Sequence, residues 1–175
     1  MRFERIISTE HPMYAEAMKL YKASFPFHEQ REAPSQKAIL ADNAYHFALI
    51  YDEDTFVGEI LYWETDSFIY IEHFCILPEM RNRQYGQKTL DLISQMKKTV
   101  ILEIDPPIDC IAKRRKGFYE RCGFAENKFD YVQLPYHKGD NGHPLVIMSS
   151  PRRITDEEYR IFYDYLSTHV MKDIF

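Results

Sequence analysis

Two kinds of hydrophobic pattern alternate along this chain: short runs of β-branched and aromatic residues, and stripes with helical spacing. Residues 69–77 (IYIEHFCIL) have the composition of a buried strand, and Pro78, which cannot donate a hydrogen bond within a sheet, ends the run. Residues 45–51 and 55–63 flank a DED turn and are predicted to pair as an antiparallel hairpin. Further strands are predicted at residues 2–8, 99–104, 129–134 and 145–149.

Apolar residues three and four positions apart predict the helices. The predicted helices cover residues 13–25, 34–42, 87–98, a short stretch before Gly123 and a last segment that begins at Thr155. Thr155 and Glu158 have the spacing of a capping box, in which each side chain hydrogen-bonds the backbone N–H of the other residue. The last helix has one apolar face, formed by Tyr159, Phe162, Tyr163, Leu166 and Val170. We expect this face to pack within its own domain, with a second subunit as the alternative partner.

A basic loop follows the strand at 69–77. Residues 81–86 (RNRQYG) are polar, and they include Arg81 and Arg83; Lys88 lies in the first turn of the helix that follows. The N-terminus of a helix has unpaired N–H groups and a partial positive charge, so a loop that enters it attracts phosphate. The sequence therefore predicts a site for a phosphate-bearing ligand at this junction.

The segment ILPEMRNRQYG resembles the acetyl-CoA signature of the GCN5-related N-acetyltransferase (GNAT) superfamily. That signature is Arg/Gln-x-x-Gly-x-Gly/Ala after a strand that ends in x-x-Pro. Arg81 matches the Arg and Gly86 the second Gly, whereas Gln84 stands where the first Gly is expected. A Gln has fewer accessible backbone conformations than a Gly, so this departure bears on the geometry of the loop.

A second segment resembles the same superfamily. KGFYERCGF at 116–124 is similar to the Phe-Tyr-x-x-x-Gly-Phe segment after the fifth strand, with Phe118, Tyr119, Gly123 and Phe124 all matching. The order of the predicted strands and helices is also that of the superfamily, so the resemblance covers nearly the whole chain. It implies an α/β (α+β) fold in a single domain, residues 1–175. The central sheet would be mixed, mostly antiparallel, of about seven strands, flanked by helices and splayed between strands four and five.

The resemblance also implies an activity and a cofactor. The protein would move the acetyl group of acetyl-CoA to a primary amine by direct attack in a ternary complex. The acceptor would be a small molecule or the amine of a lysine or peptide N-terminus. The pantetheine arm would lie in the gap between strands four and five, paired with backbone groups near Phe74, Ile76 and Leu77. A main-chain N–H near Ile76 would bind the thioester oxygen.

The nucleotide end of the cofactor would be held by the basic loop, the start of its helix and the basic run at 113–116. Ala112 stands where relatives often have an Asn that contacts pantetheine, and Glu103 and Asp105 give the edge of the fifth strand an acidic rim. We therefore expect Arg114 or Arg115 to contribute more than usual. The cofactor-binding residues implied in this region are Arg81, Arg83, Gln84, Tyr85, Gly86, Gln87, Lys88, Arg114, Arg115 and Phe118.

Tyr119 and Glu72 are the implied catalytic residues. Tyr119 matches the Tyr that lies close to the cofactor sulfur and protonates the departing thiolate; the alternative is a buried Tyr bonded to backbone. Strict alternation along the strand would set Glu72 on one face with Tyr70, Phe74 and Ile76, where apolar neighbours would raise its pKa and suit it to accept a proton. The alternatives are a solvated carboxylate, or His73 as the base if the strand bulges or faces the other way.

The acceptor wall is assigned to the segment FPFHEQRE, with Phe27, Glu29 and Arg31, together with Tyr70 on the strand. No metal site is predicted, because His137 and His143 flank Asp140 with spacing that is poor for ligands. Two other functions stay open. One is a non-catalytic acyl-CoA-binding sensor, and the other is an interaction module that uses the aromatic last helix.

Composition narrows the partners. The 175 residues, 45% of them hydrophobic, suffice for one core, and 22 basic against 27 acidic residues give a net charge of −5. That balance argues against nucleic acid as the main partner and fits a cationic acceptor.

The cellular location is predicted from the cysteines and the N-terminus. Three Cys without C-x-x-C spacing suggest reduced thiols in a cytoplasmic protein. The N-terminus does not resemble a signal peptide and no apolar run is long enough to span a membrane. A monomer and a homodimer are both compatible with the sequence.

Overall fold

A computed structural model describes every residue except Asp173 and Phe175. Its strands follow the apolar runs of the sequence closely. Residues 52–55 form the turn of the predicted hairpin, and the strand before Pro78 begins one residue earlier than predicted. The strands are β1 (Arg2–Ile6), β2 (Tyr45–Asp52), β3 (Thr55–Glu64), β4 (Phe68–Ile76), β5 (Thr99–Ile104), β6 (Ala125–Glu126), β7 (Val132–Gln133), β8 (His143–Pro144) and β9 (Val146–Ser150).

The helices lie where helical spacing predicts them, with shifted ends. The helix after the basic loop begins two residues earlier than predicted, at Tyr85, and ends at Ser94; Lys97, with a left-handed φ of 57°, lies just beyond it. Asp109 caps the helix before Gly123, and Thr155 and Glu158 form the predicted capping box. The helices are α1 (Tyr14–Ser24), α2 (Ala33–Ile39), α3 (Tyr85–Ser94), α4 (Cys110–Arg121) and α5 (Asp156–Tyr165); a 3-10 turn covers Phe27–Glu29, and a π-helical turn, Leu166–Val170, extends α5.

The described strands form one main sheet of seven, in the order β1-β2-β3-β4-β5-β9-β6. β4 and β5 run parallel, and the other neighbours pair antiparallel. The predicted mixed, mostly antiparallel sheet flanked by helices is therefore confirmed. One face of the sheet packs against α1 and α5 around Tyr21, Trp63 and Phe162, and the other packs against α3 and α4 around Leu90 and Ile93.

The predicted strand at 129–134 is mostly wrong. Only Val132–Gln133 is a strand, and it pairs with His143–Pro144 in a separate ribbon. The reason is that β9 already has β5 on one edge and β6 on the other, so the main sheet offers this segment no free edge there. The ribbon lies instead beside the 3-10 turn after α1, where the Phe27 ring stacks on His137.

The apolar face of α5 packs within its own chain, as predicted. Phe162, Leu166 and Val170 are buried in the core beside Phe68 and Tyr70. Tyr163 lies at the margin of the face, 37% exposed. Within the described residues, no helix combines the length and apolar character needed to cross a membrane.

Candidate active site

The site begins where β4 and β5 separate. The two strands pair from Phe68 opposite Thr99 to Ile71 opposite Leu102, and pairing stops there although both strands continue. The result is a V-shaped cleft of about 520 Å³ between them, which residues of α1, the 3-10 turn and α4 also line. The predicted splay between strands four and five is confirmed, and its vertex lies at Ile71 and Leu102.

The free edge of β4 runs from Glu72 to Ile76. Phe74 and Ile76 line the cleft, and Arg81 Nε donates to the Ile76 carbonyl oxygen at 3.2 Å from that side. Leu77 is different, because its N–H donates to the Val57 carbonyl oxygen at 3.0 Å across the β3–β4 ladder. The assignment of Leu77 to the cofactor is therefore wrong for its N–H group, whereas Phe74 and Ile76 present the edge that an added strand would need.

A β-bulge at Glu72 breaks the alternation of β4. Leu61 of β3 pairs with His73 and Tyr62 pairs with Ile71, so Glu72 is an extra residue with no partner. A bulge turns two successive side chains to the same face. Glu72 and His73 accordingly both contact the α1 and α5 side of the sheet, while Phe74 and Ile76 pack on the α3 side. The predicted grouping of Glu72 with Phe74 and Ile76 is wrong.

The Glu72 carboxylate is enclosed rather than free. Its side chain is fully buried, and it accepts hydrogen bonds from Arg31 Nε at 2.9 Å, Trp63 Nε1 at 2.7 Å and Tyr136 Oη at 3.0 Å. Burial alone would raise its pKa, but Arg31, His73 and these hydrogen bonds together hold the pKa below its usual value. The predicted raised pKa is wrong, and the assignment of Glu72 as the base loses its physical support.

Arg31 is a structural residue and does not belong to the acceptor wall. It is 4% exposed, and besides Glu72 it binds the Val170 carbonyl oxygen through Nη2 at 2.7 Å. Its backbone N–H donates to the Tyr21 hydroxyl at 3.0 Å. It therefore joins the segment before α2 to β4 and to the end of the last helix, and the prediction that it binds the acceptor is wrong.

The other predicted acceptor residues separate into different surroundings. Glu29 lines the cleft, and burial, with Asp105 adding to it, raises its pKa. Phe27 is 73% exposed, with its ring stacked on His137 and turned away from the cleft lining. Tyr70 is buried beneath the cleft, where its hydroxyl donates to Glu103 Oε2 at 3.1 Å. Of these three, Glu29 alone reaches the cleft surface.

His73 is buried in an aromatic cage of Tyr21, Phe25 and Tyr136. Its Nε2 lies 2.8 Å from the Glu29 carbonyl oxygen, which can only accept, so Nε2 carries the proton and Nδ1 is bare. Nδ1 is buried without a partner, and burial lowers the pKa of the ring. The bulge that would let His73 act as the base is present and His73 lines the cleft, but its bare nitrogen is buried and burial disfavours the protonated ring.

Glu103, predicted only as part of an acidic rim, is a carboxyl group of the cleft to which sequence reasoning assigned no catalytic role. It is the next residue of β5 after the last pair with β4, and it lines the cleft. Oε1 accepts from the Tyr131 hydroxyl, and Oε2 accepts from Tyr70 Oη and from Gln133 Nε2 at 3.0 Å. Burial raises its pKa to about 7. The only sequence signal was an acid within an otherwise apolar strand.

Tyr119 lies in α4 and lines the same cleft. Its ring packs against Phe118 and Phe124, and burial raises its pKa to about 12, partly offset by Arg115. The hydroxyl is therefore protonated at neutral pH. Phe118 packs on Gly86 of α3, where an added Cβ would lie 3.1 Å from its ring. Any side chain at position 86 would therefore have to displace the Phe118 ring.

The loop before α3 adopts the left-handed conformation despite having no Gly at Gln84. Gln84, at φ 64°, is the N-cap of α3, and Asn82 has φ 62°. The Gln84 side chain does not cap the helix, so the first N–H groups of α3 remain free for an anion. Tyr85 turns away, because its hydroxyl donates to Asp52 Oδ2 at 2.9 Å. Its predicted contact with the cofactor would therefore be made by its backbone N–H and not by its side chain.

Positive charge gathers around this end of the cleft. Gln87 and Lys88 are exposed on the first turn of α3, and Arg83 is exposed in the loop. Arg81 and Arg115 line the cleft, with Arg115 Nη1 2.6 Å from Asp105 Oδ2. Arg114 is exposed on α4 and is outside the cleft lining. Of the acids that line the cleft, Glu72 and Glu103 lie next to the vertex, whereas Asp105 is paired with Arg115.

Cys75 also lines the cleft, but its thiol is inert. Burial raises its pKa, and the adjacent Glu59 carboxyl, 3.7 Å away, adds to this effect. Glu59 is fully buried and its own pKa is raised to about 9 by burial, so it is a neutral carboxylic acid at pH 7. A thiol in these surroundings is a poor nucleophile, because the thiolate is the reactive form.

At the cleft mouth, ligand atoms of His28, Glu29 and His143 lie within 4.8 Å of one another. His143 belongs to the ribbon and the other two to the 3-10 turn, so the group links both walls. This group differs from the pair of His137 and His143, whose spacing in the sequence is poor for metal ligands. His137 instead lies 2.9 Å from the Phe27 carbonyl oxygen through Nε2.

Comparison with known proteins agrees with this architecture. The sequence model of the family described as "Acetyltransferase (GNAT) family" matches residues 11–124. "Putative acetyltransferase YjbC" of Bacillus subtilis is 24% identical over 155 residues, which cover 85% of this chain and 79% of that protein. A match of 28% identity to fructose-1,6-bisphosphatase class 3 of Bacteroides thetaiotaomicron covers only 16% of that protein and carries no argument about activity.

Solved structures extend the likeness to the whole chain. A "Putative acetyltransferase from GNAT family" of Bacteroides thetaiotaomicron superposes with a TM-score of 0.90 at 34% identity, over 97% of this chain and 98% of that one. A Bacillus subtilis acetyltransferase in complex with CoA shares the fold, with a TM-score of 0.54 at 15% identity over 85% of this chain and 96% of its own. Since the family model spans more than half of the chain and the Bacteroides structure nearly all of it, the chain belongs to the acetyltransferase (GNAT) family.

Proposed function

We propose that this protein transfers the acetyl group of acetyl-CoA to a primary amine by direct attack in a ternary complex. The observation that carries the proposal is the cleft between β4 and β5. A free strand edge and Tyr119 line it together, and Arg81, which also lines it, begins the loop that leads to the uncapped N-terminus of α3. Membership of the family and the CoA complex of a protein with the same fold support acetyl-CoA as the donor.

The residues fit each part of the cofactor. The free edge from Glu72 to Ile76 is about 16 Å long at about 3.3 Å per residue, and it can pair with the amides of pantetheine as an added strand does. The N-terminus of α3 offers free N–H groups and a partial positive charge for the pyrophosphate. Arg81, Arg83 and Lys88 add positive charge there, and Arg115 lines the cleft from α4. Arg114 lies outside the lining and is proposed to reach only the nucleotide end. Ile76 lies at the end of the edge nearest the loop, so its backbone is assigned to the pantetheine arm, and the thioester is placed at the other end of the edge, toward Glu72.

Tyr119 is the proposed proton donor. The amine attacks the thioester carbon, the C–N bond forms and the C–S bond breaks, and the departing thiolate takes its proton from the Tyr119 hydroxyl. Burial raises the pKa of Tyr119 to about 12, and the same desolvation would raise the pKa of a cofactor thiolate held beside it. The two groups therefore stay matched closely enough for proton transfer.

The acceptor is proposed to be a cationic amine, either a small molecule or a peptide amine. Glu29, Glu103 and Asp105 line the cleft. An ammonium group is attracted to such a rim before it loses its proton. The spermidine N-acetyltransferase SpeG of Vibrio cholerae has the same fold, with a TM-score of 0.61 at 12% identity, and its name gives a polyamine as acceptor.

The test combines binding and turnover. CoA and acetyl-CoA should raise the melting temperature, and thiol release from acetyl-CoA should be seen with at least one member of a panel of polyamines, aminoglycosides and lysine peptides. Tyr119→Phe should keep the CoA shift and lose about 100-fold in turnover. Tyr163→Phe, on the margin of α5, is the matched control and should behave as the parent.

Two results would contradict the proposal. A CoA shift with no acetyl-CoA consumed by any amine would favour the sensor. No shift with CoA or acetyl-CoA would favour the interaction module.

Gly86→Glu is a poor probe of cofactor binding by the loop. A Cβ at this position would lie 3.1 Å from Phe118, so the variant would also disturb the packing of α3 on α4.

A further inference from the structure

Glu103 lies at the vertex of the cleft. Leu102 is the last residue of β5 that pairs with β4, so Glu103 is the first whose edge toward β4 is free. Its other edge stays paired with Ile147 of β9, which holds its position. A thioester that runs down the cleft from the N-terminus of α3 would end at this vertex, between Glu103 and the bulge at Glu72.

Glu72 and Glu103 are two carboxyl groups with opposite surroundings. Glu72 is enclosed with the Arg31 guanidinium, at 2.9 Å, so a positive charge neutralises it. The three donors on Glu103 are all uncharged, being Tyr70, Tyr131 and Gln133. Paired carboxyls whose surroundings differ in this way can take different roles, one permanently ionised and the other able to exchange a proton.

The Glu103 carboxylate keeps room for one more proton. A carboxylate has about four lone-pair positions, two on each oxygen. Oε2 accepts from Tyr70 and Gln133, while Oε1 accepts from Tyr131 only. One lone pair on Oε1 is therefore left by these contacts, and Glu103 is part of the cleft lining. Glu72 also lines the cleft and accepts three hydrogen bonds, but one donor is the charged Arg31 guanidinium, which holds Glu72 as a carboxylate.

We propose that the Glu103 carboxylate accepts the proton that the acceptor ammonium must lose before it attacks the thioester. This assignment rests on the acetyl transfer proposed above. Tyr70, Tyr131 and Gln133 are positioning residues that hold the carboxylate, and Glu72 stays ionised with Arg31 throughout.

The protons balance with two groups. The ammonium gives one proton to Glu103, which later releases it to solvent. The neutral amine attacks, and the nitrogen then carries one proton more than the amide needs. The departing sulfur takes its proton from Tyr119, and Tyr119 recovers a proton from that nitrogen. The net products are the amide, CoA thiol and one proton.

The ionisation of Glu103 suits this role. Burial raises its pKa to about 7, and Glu72 adds to this, while the hydrogen bonds from Tyr131, Tyr70 and Gln133 lower it. Burial also raises the pKa of every Tyr that faces it, so the tyrosines stay neutral and the charged neighbour is Glu72. The titratable groups that face Glu103 are Tyr70 and Glu72 of β4, Tyr131 and Tyr136 beside β7, and Tyr159 of α5.

The alternative is a purely structural Glu103 that ties the segment around Tyr131 to the sheet. Glu103→Gln separates the two, since an amide keeps an acceptor oxygen but takes no proton. With the best amine of the panel, kcat/KM of the parent should rise with pH through about 7. Glu103→Gln should lose about 100-fold or more at pH 7 and lose that step in the profile. Glu10→Gln, at an exposed position, should match the parent.

Two further measurements separate chemistry from structure. O-methylhydroxylamine is neutral at pH 7 and needs no base, so Glu103→Gln should lose less than about tenfold with it. Tyr131→Phe removes a hydrogen bond that lowers the pKa of Glu103 and should move the step in the profile above pH 7. A structural Glu103 predicts equal losses with both amines and an unmoved step.

The last readout needs no turnover. Infrared difference titration of the cofactor-free protein should show one carboxyl group titrating near pH 7, which is absent in Glu103→Gln and present in Glu10→Gln. If the parent acetylates amines and Glu103→Gln keeps its rate and profile, this inference is wrong and the proposed function stands. If the parent acetylates no amine, the proposed function fails, whatever the infrared titration gives.

Discussion

Arg31 and Glu72 form a buried ion pair beneath the vertex of the cleft, with Nε 2.9 Å from Oε1 and both side chains fully enclosed. Arg31 also binds the Val170 carbonyl oxygen, so the pair ties the C-terminal turn to the central sheet. The carboxylate that sequence reasoning selected as a base therefore serves the fold. Its charge is the counterpart of a guanidinium that burial would otherwise penalise.

Glu72→Gln should destabilise the protein by about 3–5 kcal/mol, because it leaves the Arg31 charge buried without a counter-charge. Urea unfolding at pH 7 measures this. The double variant Arg31→Met/Glu72→Gln should lose clearly less free energy of unfolding than the sum of the losses in the two single variants. Because the folded pKa of Glu72 lies below its usual value, the parent should lose this contribution as the pH falls below about 4.5, while Glu72→Gln should not. Additive losses would show that the pair is not coupled.

Glu59 should make the fold less stable in alkali. Burial raises the pKa of Glu59 in the folded protein to about 9, from about 4.5 in the unfolded chain. The protonated carboxyl therefore contributes fully to the free energy of unfolding below the unfolded pKa, and this contribution is lost as the pH rises through the folded pKa. Between about pH 5 and 9, the parent should lose up to about 1.4 kcal/mol per pH unit relative to Glu59→Gln. Unfolding free energies of both proteins across this range measure the difference. A constant difference would mean that Glu59 does not titrate there.

Gln84 should tolerate Gly and reject β-branched residues. A left-handed non-Gly residue costs about 1–2 kcal/mol, and Gly removes this strain while adding freedom to the unfolded chain. Gln84→Gly should therefore stay within about 1 kcal/mol of the parent, and Gln84→Val should lose about 1–3 kcal/mol. Gln87→Val, in regular helix three residues later, is the control and should lose about 0.5 kcal/mol. Equal stability of Gln84→Val and the parent would rule out the left-handed turn.

Gln87→Glu should separate the stability of α3 from its binding of phosphate. A negative charge in the first turn favours the helix by about 0.3–1 kcal/mol, yet it repels an anion at the same place. We expect an unchanged or higher melting temperature and a CoA affinity reduced by about tenfold, measured by calorimetric titration. Gln95→Glu, exposed at the other end of α3, should leave CoA affinity unchanged. The same loss in both variants would move the phosphate site away from this helix.

Local sequence predicted most of the strands, helices and turns. Pro78, the capping box at Thr155 and Glu158, and the turn at 52–54 act through nearest neighbours, and each lies where it was expected. The strand predicted at 129–134 is wrong because its outcome depended on whether β9 had a free edge. No local pattern carries that information.

The features of the candidate site divide in the same way, into those set by local sequence and those set by tertiary structure. The sequence by itself determined the order of elements, the family, and the presence of Tyr119 and a basic loop beside a strand, because these depend on residue type and spacing. The tertiary structure alone decided the roles of the acids. The bulge at Glu72 brought His73 to the same face, a distant segment supplied Arg31 as the partner of Glu72, and the end of pairing at Leu102 set Glu103 at the vertex. The pKa of a carboxyl group depends on its burial and its partners, and both come from segments far apart in the chain.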